Sequence, residues 1–542
     1  MANLGNLPQP AAACLPAGVT DTQGKDAFTL RFGTATAEAV KTGTITDNRN
    51  SDLTKFPNGL GTYSKALKQA SPGIAAAGSF NQFLKACGVE PGGPVGDFEN
   101  TAIVRGGTAK LNGPRGAFSG QLIGKDSAGF GNAIVPPAPA LDSIEYAIEL
   151  VELYWASLLR DVPFEQYAAN ATALAACNEL SALAAAHPGK FAYPVDAAGR
   201  VTPGTLFRGA FAGETNGPYL SQFAVVPTTL GRLPISQMIK TYLPAQDFMT
   251  TQSEWFNIQN GLDPAETAVF DPVHRFMRAG RDIAAYTQVD ELYQAYLIAD
   301  LVCETAGIPP NPGNPYLTYT NDKAFGTFGG PDIAATIGAV ARAAINAVWY
   351  QKWRVHLRHR PEAGGGIAHL LKTGQLPPAV AAQLPHFDIV LNSAALNLSA
   401  ARNGSYLLSQ AFPEGSPTHP AYPTGHGTVA GACITVLKFF YDGNTQFANL
   451  LAPSADGLIL NAYPNGAAPV TVNDELHKIA HNISFGHGIH AGIHWRSDTD
   501  TSILLGEAVA IAYLQDQIYS YQENFDIKIT KIDGSTQSFK NF

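Results

Sequence analysis

Residues 331–361 read PDIAATIGAVARAAINAVWYQKWRVHLRHRP, and this stretch decides the class of fold. Ile333, Ile337, Val340, Ala344 and Val348 recur three or four residues apart, the spacing that lines up one apolar face of an α-helix. Pro331 and Asp332 suit a first helical turn. Pro361 closes the pattern, because its ring disfavours helix in the residue before it. The spacing predicts a long helix with Lys352 near its end.

The same periodicity extends outward. SIEYAIELVELYWASLLR at 143–160 and an alanine-rich pattern at 164–186 are expected to pack as a helical hairpin. Residues 271–307 read as helix, with Asp290 a capping residue and Gly307 a stop, followed by the loop PPNPGNPY at 309–316. Further helices are expected at 425–441, 472–492 and about 499–519. The tail FDIKITKIDGSTQSFKN alternates about Asp533-Gly534 and reads as a β-hairpin. The predicted fold class is mainly α, helical bundles with small β-hairpins, one of them near the C-terminus. Residues 1–140 form a loop-rich arm suited to oligomer formation, 141–330 a helical region, 331–520 the helical region that carries the chemistry, and 521–542 the hairpin tail.

Composition narrows the functional classes. The 542 residues include 45% apolar and 15% charged residues, and their apolar runs fall short of the roughly 20 residues a bilayer crossing needs. A net charge of −9 argues against a nucleic-acid or anionic-membrane binder, which needs a basic surface to release counterions. The start, MANLGNLPQP, shows neither a basic segment nor an apolar core of a secretion signal, so location stays open. Cys14, Cys87, Cys177, Cys303 and Cys433 form no C-x-x-C pair, which removes zinc-ribbon and thioredoxin-type readings and suggests structural or free thiols. A disulfide between subunits through Cys14 or Cys87 is the alternative. No motif for a structural Ca2+ or Mg2+ is visible.

Three separated clusters share one chemical theme, cations and hydrogen-bond donors suited to a tetrahedral oxyanion. In KWRVHLRHRPE at 352–362, Lys352 offers a point charge and Arg360 a planar fork. A solvated basic helix end would look the same. In HPAYPTGHGT at 419–428, Thr424 offers a hydroxyl, Gly425 a closely approachable amide and His426 a titratable imidazole at a helix start, although a plain proline turn is the alternative. In FGHGIHAGIHWRSD at 485–498, His487, His490 and His494 would share one helical face, with Asp498 placed to orient a ring. Core histidines or a three-histidine divalent-metal site remain as other readings.

Taken in order, the clusters resemble the Lys…Arg-Pro, Pro-Ser-Gly-His, Arg…His pattern of the vanadium-dependent haloperoxidases and the related acid phosphatases. The seven residues between Lys352 and Arg360 are similar to the algal bromoperoxidase branch. GPYLSQF at 217–223 and RFMRAGRDIAAYTQVDELYQAYL at 275–297 resemble the same branch, so the likeness spans roughly residues 200–520. His419 matches a histidine typical of bromoperoxidases, whereas Trp349 stands where fungal chloroperoxidases carry tryptophan. Both belong to the halide side of the site. Thr424 replaces the family serine and keeps its hydroxyl. Gly488 falls on a family arginine; with one residue inserted, His487 stands opposite it, so His487 or His490 is expected to contact the cofactor.

The resemblance implies vanadate as cofactor, bound through His494 and surrounded by Lys352, Arg360, Thr424, Gly425 and His426, with His426 as general acid and base and Lys352 polarising bound peroxide. It implies hydrogen peroxide, a halide and small organic molecules as partners, and a dimer-based homo-oligomer, up to a dodecamer. Two alternatives stay open: an acid phosphatase using the same oxyanion pocket, and a non-enzymatic protein that kept the fold after losing the arginine.

Overall fold

The computed structural model describes residues 48–90, 95–99, 108–118, 135–464 and 469–541, so much of the expected N-terminal arm, Cys14 included, lies outside the described residues. Some of the described helices start where a polar side chain satisfies a free N–H group of the first turn. Helix α1, Ile144–Leu159, begins at Ser143, whose side chain accepts from the Tyr146 amide, and α2, Ala171–Ala186, begins at Asn170, which accepts from Ala173. The two pack together as the expected hairpin, although residues 164–169 form a separate 3-10 turn before α2. Nearly every side chain of α1 is buried, which fits its almost continuous apolar run.

Residues 271–307 form two helices rather than one, α3 (Gly280–Gln288) and α4 (Gln294–Ala306). Asp290 lies in the loop between them and does not cap α4, whose preceding residue is Tyr293; its carboxylate is engaged elsewhere. Gly307 ends α4 with φ 66°, a conformation that glycine adopts without strain.

Helix α5, Gly330–Tyr350, runs on into a π-helical turn, Gln351–His356, and Leu357 breaks it at φ 51°. The helix thus ends before Pro361 is reached. Pro361 instead opens α6, Pro361–Lys372, at its first position, where a missing N–H costs nothing. Counted together, Gly330–His356 is long and apolar enough to cross a membrane by length and composition, contrary to the reading of the apolar runs. Here it packs in the bundle, against α7 (Gly425–Phe440) and α9 (Arg496–Gln517).

Helix α7 is buried along its whole length and is the axis of the second half of the chain, with α5, α8 (Val472–Phe485) and α9 around it. Glycine sets the α7–α9 approach: a Cβ on Gly431 would lie 1.9 Å from the Ile503 carbonyl oxygen, and one on Gly506 2.0 Å from that of Thr428. The terminal hairpin, β1 (Asp526–Thr530) and β2 (Thr536–Lys540), pairs in antiparallel register as expected and buries Ile527, Ile529 and Phe539. Among the described residues, three other two-stranded antiparallel ribbons decorate the helices. Among the described residues, Cys87, Cys177, Cys303 and Cys433 are buried thiols with no disulfide within the chain.

Candidate active site

The end of α5, the entry to α6, the start of α7 and the junction of α8 with α9 meet at one end of the bundle. Two local irregularities shape that end. Lys352 lies in the π-turn after α5, and α8 passes into a second π-turn, Gly486–His490, before the chain reverses at Gly492 with φ 83°. A π-turn absorbs one extra residue in a helix and is a frequent mark of functional sites. The helix expected over 472–492 runs to His490, but its last turn is π-helical, and His487, His490 and His494 do not share a face. Helix α9 begins at Arg496, earlier than expected.

His494 immediately precedes this last helix. Its Nδ1 lies 2.9 Å from Asp498 Oδ2, which also accepts the Trp495 amide at 3.1 Å. A carboxylate only accepts, so Nδ1 carries the proton and the lone pair is left on Nε2. Asp498 is itself held by Arg358, whose Nη1 donates to Oδ1 at 2.7 Å and whose Nη2 reaches Glu149 at 3.0 Å. Glu149 in turn accepts from the Ser497 amide. Capping, tautomer and ring orientation are thus settled by one buried ion network.

The Nε2 lone pair of His494 faces Arg360, whose Nη1 donates to it at 2.8 Å and to the Ile493 carbonyl at 2.9 Å. Arg360 Nε donates to the His419 carbonyl, and Nη2 lies 2.9 Å from His419 Nδ1. Lys352, fully buried, directs two N–H groups at the carbonyls of Pro420 (3.0 Å) and Ala421 (2.6 Å), and its third N–H has no partner among the described residues. The His419 ring centre is 4.8 Å from that of Trp349 and 6.5 Å from that of His494. Trp349 also walls the start of α7, since a Cβ on Gly425 would meet it at 3.1 Å.

At that start the Thr424 amide donates to the Asp498 carbonyl, while the buried Thr424 hydroxyl has no partner among the described residues. His426 Nε2 is 2.9 Å from Asp290 Oδ1, and its ring stacks on that of His487 with centres 3.7 Å apart. His487 lies 5.7 Å from His494, and its Nδ1 has no partner. His490 turns away: its Nε2 meets the Tyr219 hydroxyl at 2.9 Å, and its ring packs among Phe164 and Phe207. It is a core histidine, and the three-histidine metal reading falls with it. Gly488 supplies no side chain, but a Cβ there would sit 3.1 Å from His494 Cβ.

The structure therefore brings Lys352, Arg360, His419, Thr424, Gly425, His426, His487 and His494 together with Trp349 and excludes His490. Asp290 is the member that sequence reasoning misplaced, as a helix cap. An acidic residue in a loop gives no sign of the histidine it meets 136 positions away.

Electrostatics identify the ligand class. Burial, with Arg360 next, pushes the Lys352 ammonium well below its usual value, and burial moves Arg360 down to about 10. Burial and the neighbouring cations hold the His419, His487 and His494 rings well below the usual imidazole value. Cations gathered out of water with protein groups alone to balance them form a site matched to an anion. The orphaned Thr424 hydroxyl and His487 nitrogen add donors, and the Nε2 lone pair of His494 adds one ligating atom. These groups fit vanadate, a tetrahedral oxyanion that accepts hydrogen bonds on its oxygens and takes one nitrogen at its metal.

Comparison with known proteins agrees. Residues 333–522 match the model of the VCPO second helical-bundle domain. The chain is similar to the vanadium-dependent bromoperoxidase of Ascophyllum nodosum, 33% identical over 94% of this chain and 91% of that one. It is similar to that of Corallina officinalis, 34% identical over 74% and 75%. Among solved structures it resembles the homohexameric second vanadate-dependent bromoperoxidase of A. nodosum, with a TM-score of 0.85 and 28% identity over 96% of this chain and 90% of that chain. The chain belongs to the vanadium-dependent bromoperoxidase family.

Proposed function

We propose that this protein is a vanadium-dependent haloperoxidase that uses hydrogen peroxide to oxidise bromide to hypobromous acid, which then halogenates small organic molecules. The observation that carries this reading is His494, a buried imidazole whose tautomer Asp498 fixes and whose Nε2 lone pair points at Arg360. Vanadate bound there supplies a Lewis acid that activates peroxide toward attack by halide.

The residues divide the remaining work. His494 Nε2 holds the cofactor, while Arg360, the third N–H of Lys352, the Thr424 hydroxyl, the Gly425 amide and His487 hold its oxygens. Lys352 also stabilises negative charge as it develops during halide attack. With its Nε2–H given to Asp290, His426 keeps its lone pair on Nδ1, which would serve as general base toward hydrogen peroxide and, once protonated, as general acid. Trp349 and His419 form the halide side. Burial of every one of these side chains except Trp349 to below a tenth of its surface keeps bulk water from competing for them.

With one residue inserted, His487 stands opposite the family arginine, and its ring centre lies 3.7 Å from that of His426 and 5.7 Å from that of His494, which supports a contact with vanadate. We further propose that the protein forms a homo-oligomer, as the similar A. nodosum structure does in its hexamer; the dodecamer remains an expectation from the family.

Steady-state bromination of monochlorodimedone, with and without orthovanadate added to metal-stripped protein, tests the assignment. Bromination that appears only with orthovanadate is expected. Equal rates in both, or hydrolysis of p-nitrophenyl phosphate by stripped protein with no bromination in either, would overturn it in favour of another chemistry.

A further inference from the structure

We infer that Lys438 is an amine nucleophile and that the cavity it lines takes a small hydroxylated aldehyde, bound covalently to Nζ as an imine. The site stands apart from the proposed vanadate site, because Lys438 lies in the last turn of α7, about 18 Å along the helix from His426.

Lys438 is 2% exposed, yet it lines a cavity of about 440 Å3 between α7, the loop that follows it and the β1–β2 hairpin. His477 on α8, held neutral by burial, has its Nδ1 2.9 Å from the Ala212 carbonyl. A carbonyl only accepts, so Nδ1 carries the proton and Nε2 the lone pair. Lys438 Nζ donates to that Nε2 at 2.8 Å and to the Thr530 carbonyl at 3.0 Å. Both partners are uncharged, and among the described residues no carboxylate forms an ion pair with Nζ. Glu507, whose charge reaches it, accepts the Ile532 amide, and Asp526 on the cavity wall pairs with Lys540. Burial among neutral acceptors disfavours the ammonium and brings Lys438 down to about 8. Near neutral pH it holds roughly a hundredfold more free amine than an exposed lysine does. That amine spends its two hydrogens on His477 and Thr530, and the lone pair remains for the cavity.

Polar walls narrow the class of electrophile. Asn473 Oδ1 is buried without a partner among the described residues, and a Cβ on Gly443 would lie 2.3 Å from it, so glycine leaves that oxygen clear. Asp442 adds carboxylate oxygens to the wall. Hydroxyls carried next to a carbonyl group supply the donors these oxygens take. Nζ adds to the carbonyl carbon, the carbonyl oxygen leaves as water with the two amine hydrogens, and a C=N bond forms. Once protonated, the imine offers one N–H to His477 Nε2.

The test is incubation of the full chain with glyceraldehyde and cyanoborohydride at about pH 7.5, followed by peptide mass spectrometry; the reductant fixes each imine as a secondary amine. Lys438 is expected to be labelled about tenfold faster than Lys528, which lines the same cavity with its side chain 63% exposed. Labelling of Lys438 no faster than of Lys528 would overturn the inference. Propanal, which lacks hydroxyls, should lower that ratio at least about threefold. An unchanged ratio would overturn the class of ligand.

Discussion

Asp498 joins three roles in one carboxylate: it caps α9, fixes the His494 tautomer and anchors Arg358. Asp498→Asn would offer Nδ1 an amide that can either donate or accept, so the Nε2 lone pair is no longer guaranteed. Vanadate affinity should fall about 10–100-fold, as measured by dialysis, with the fold retained. Among the described residues, the hydrogen-bond partner of Asp290 is His426. Asp290→Ala should lower kcat about 10–100-fold and change the pH profile of turnover while vanadate affinity stays within about threefold, because the residue orients a proton carrier and does not touch the oxyanion. Most of the residues that converge at the candidate site were legible in the sequence. Lys352, Arg360, Thr424, His426 and His494 lie in compact motifs whose chemistry shows in their residue types. Asp290 was not legible, because its meaning depends on a contact between distant loops, and His490 was misread, because spacing on an assumed α-helix placed it beside His494.

Elements carry the next level of the account. Helix α7 and helix α9 can approach only because Gly431 and Gly506 lack side chains. Gly431→Ala should destabilise the protein by about 1–3 kcal/mol through overpacking against the Ile503 carbonyl, seen as a lowered denaturant midpoint. Helix positions followed from apolar spacing, and the hairpin at 526–540 from its alternation about Asp533-Gly534. What the pattern could not show were the two π-turns and the break at 289–293. A π-turn leaves the apolar period nearly intact and shifts only which residues face inward, so the continuous helices read through Lys352 and His487 differ from the real ones where the chemistry sits.

At the scale of the whole molecule, stability carries a proton. His481 on α8 is buried between Glu214 and Asp500; burial opposes its charge, but the two carboxylates outweigh it and raise the imidazole to about 9. In the unfolded chain it returns to about 6.5. Its stabilising contribution is therefore complete below about pH 6.5 and is lost as the pH rises through about 9. Denaturation midpoints should fall across that window, and His481→Gln should flatten the fall. Light scattering should find at least two chains per particle, and the mass of a single chain would refute the proposed assembly. The central claim is that distant segments converge on one imidazole to hold vanadate. Its most direct test is the stoichiometry of orthovanadate bound to metal-stripped protein, with His494→Ala measured alongside. One vanadate per chain in the first and none in the second is the predicted result; equal binding by both would contradict the account.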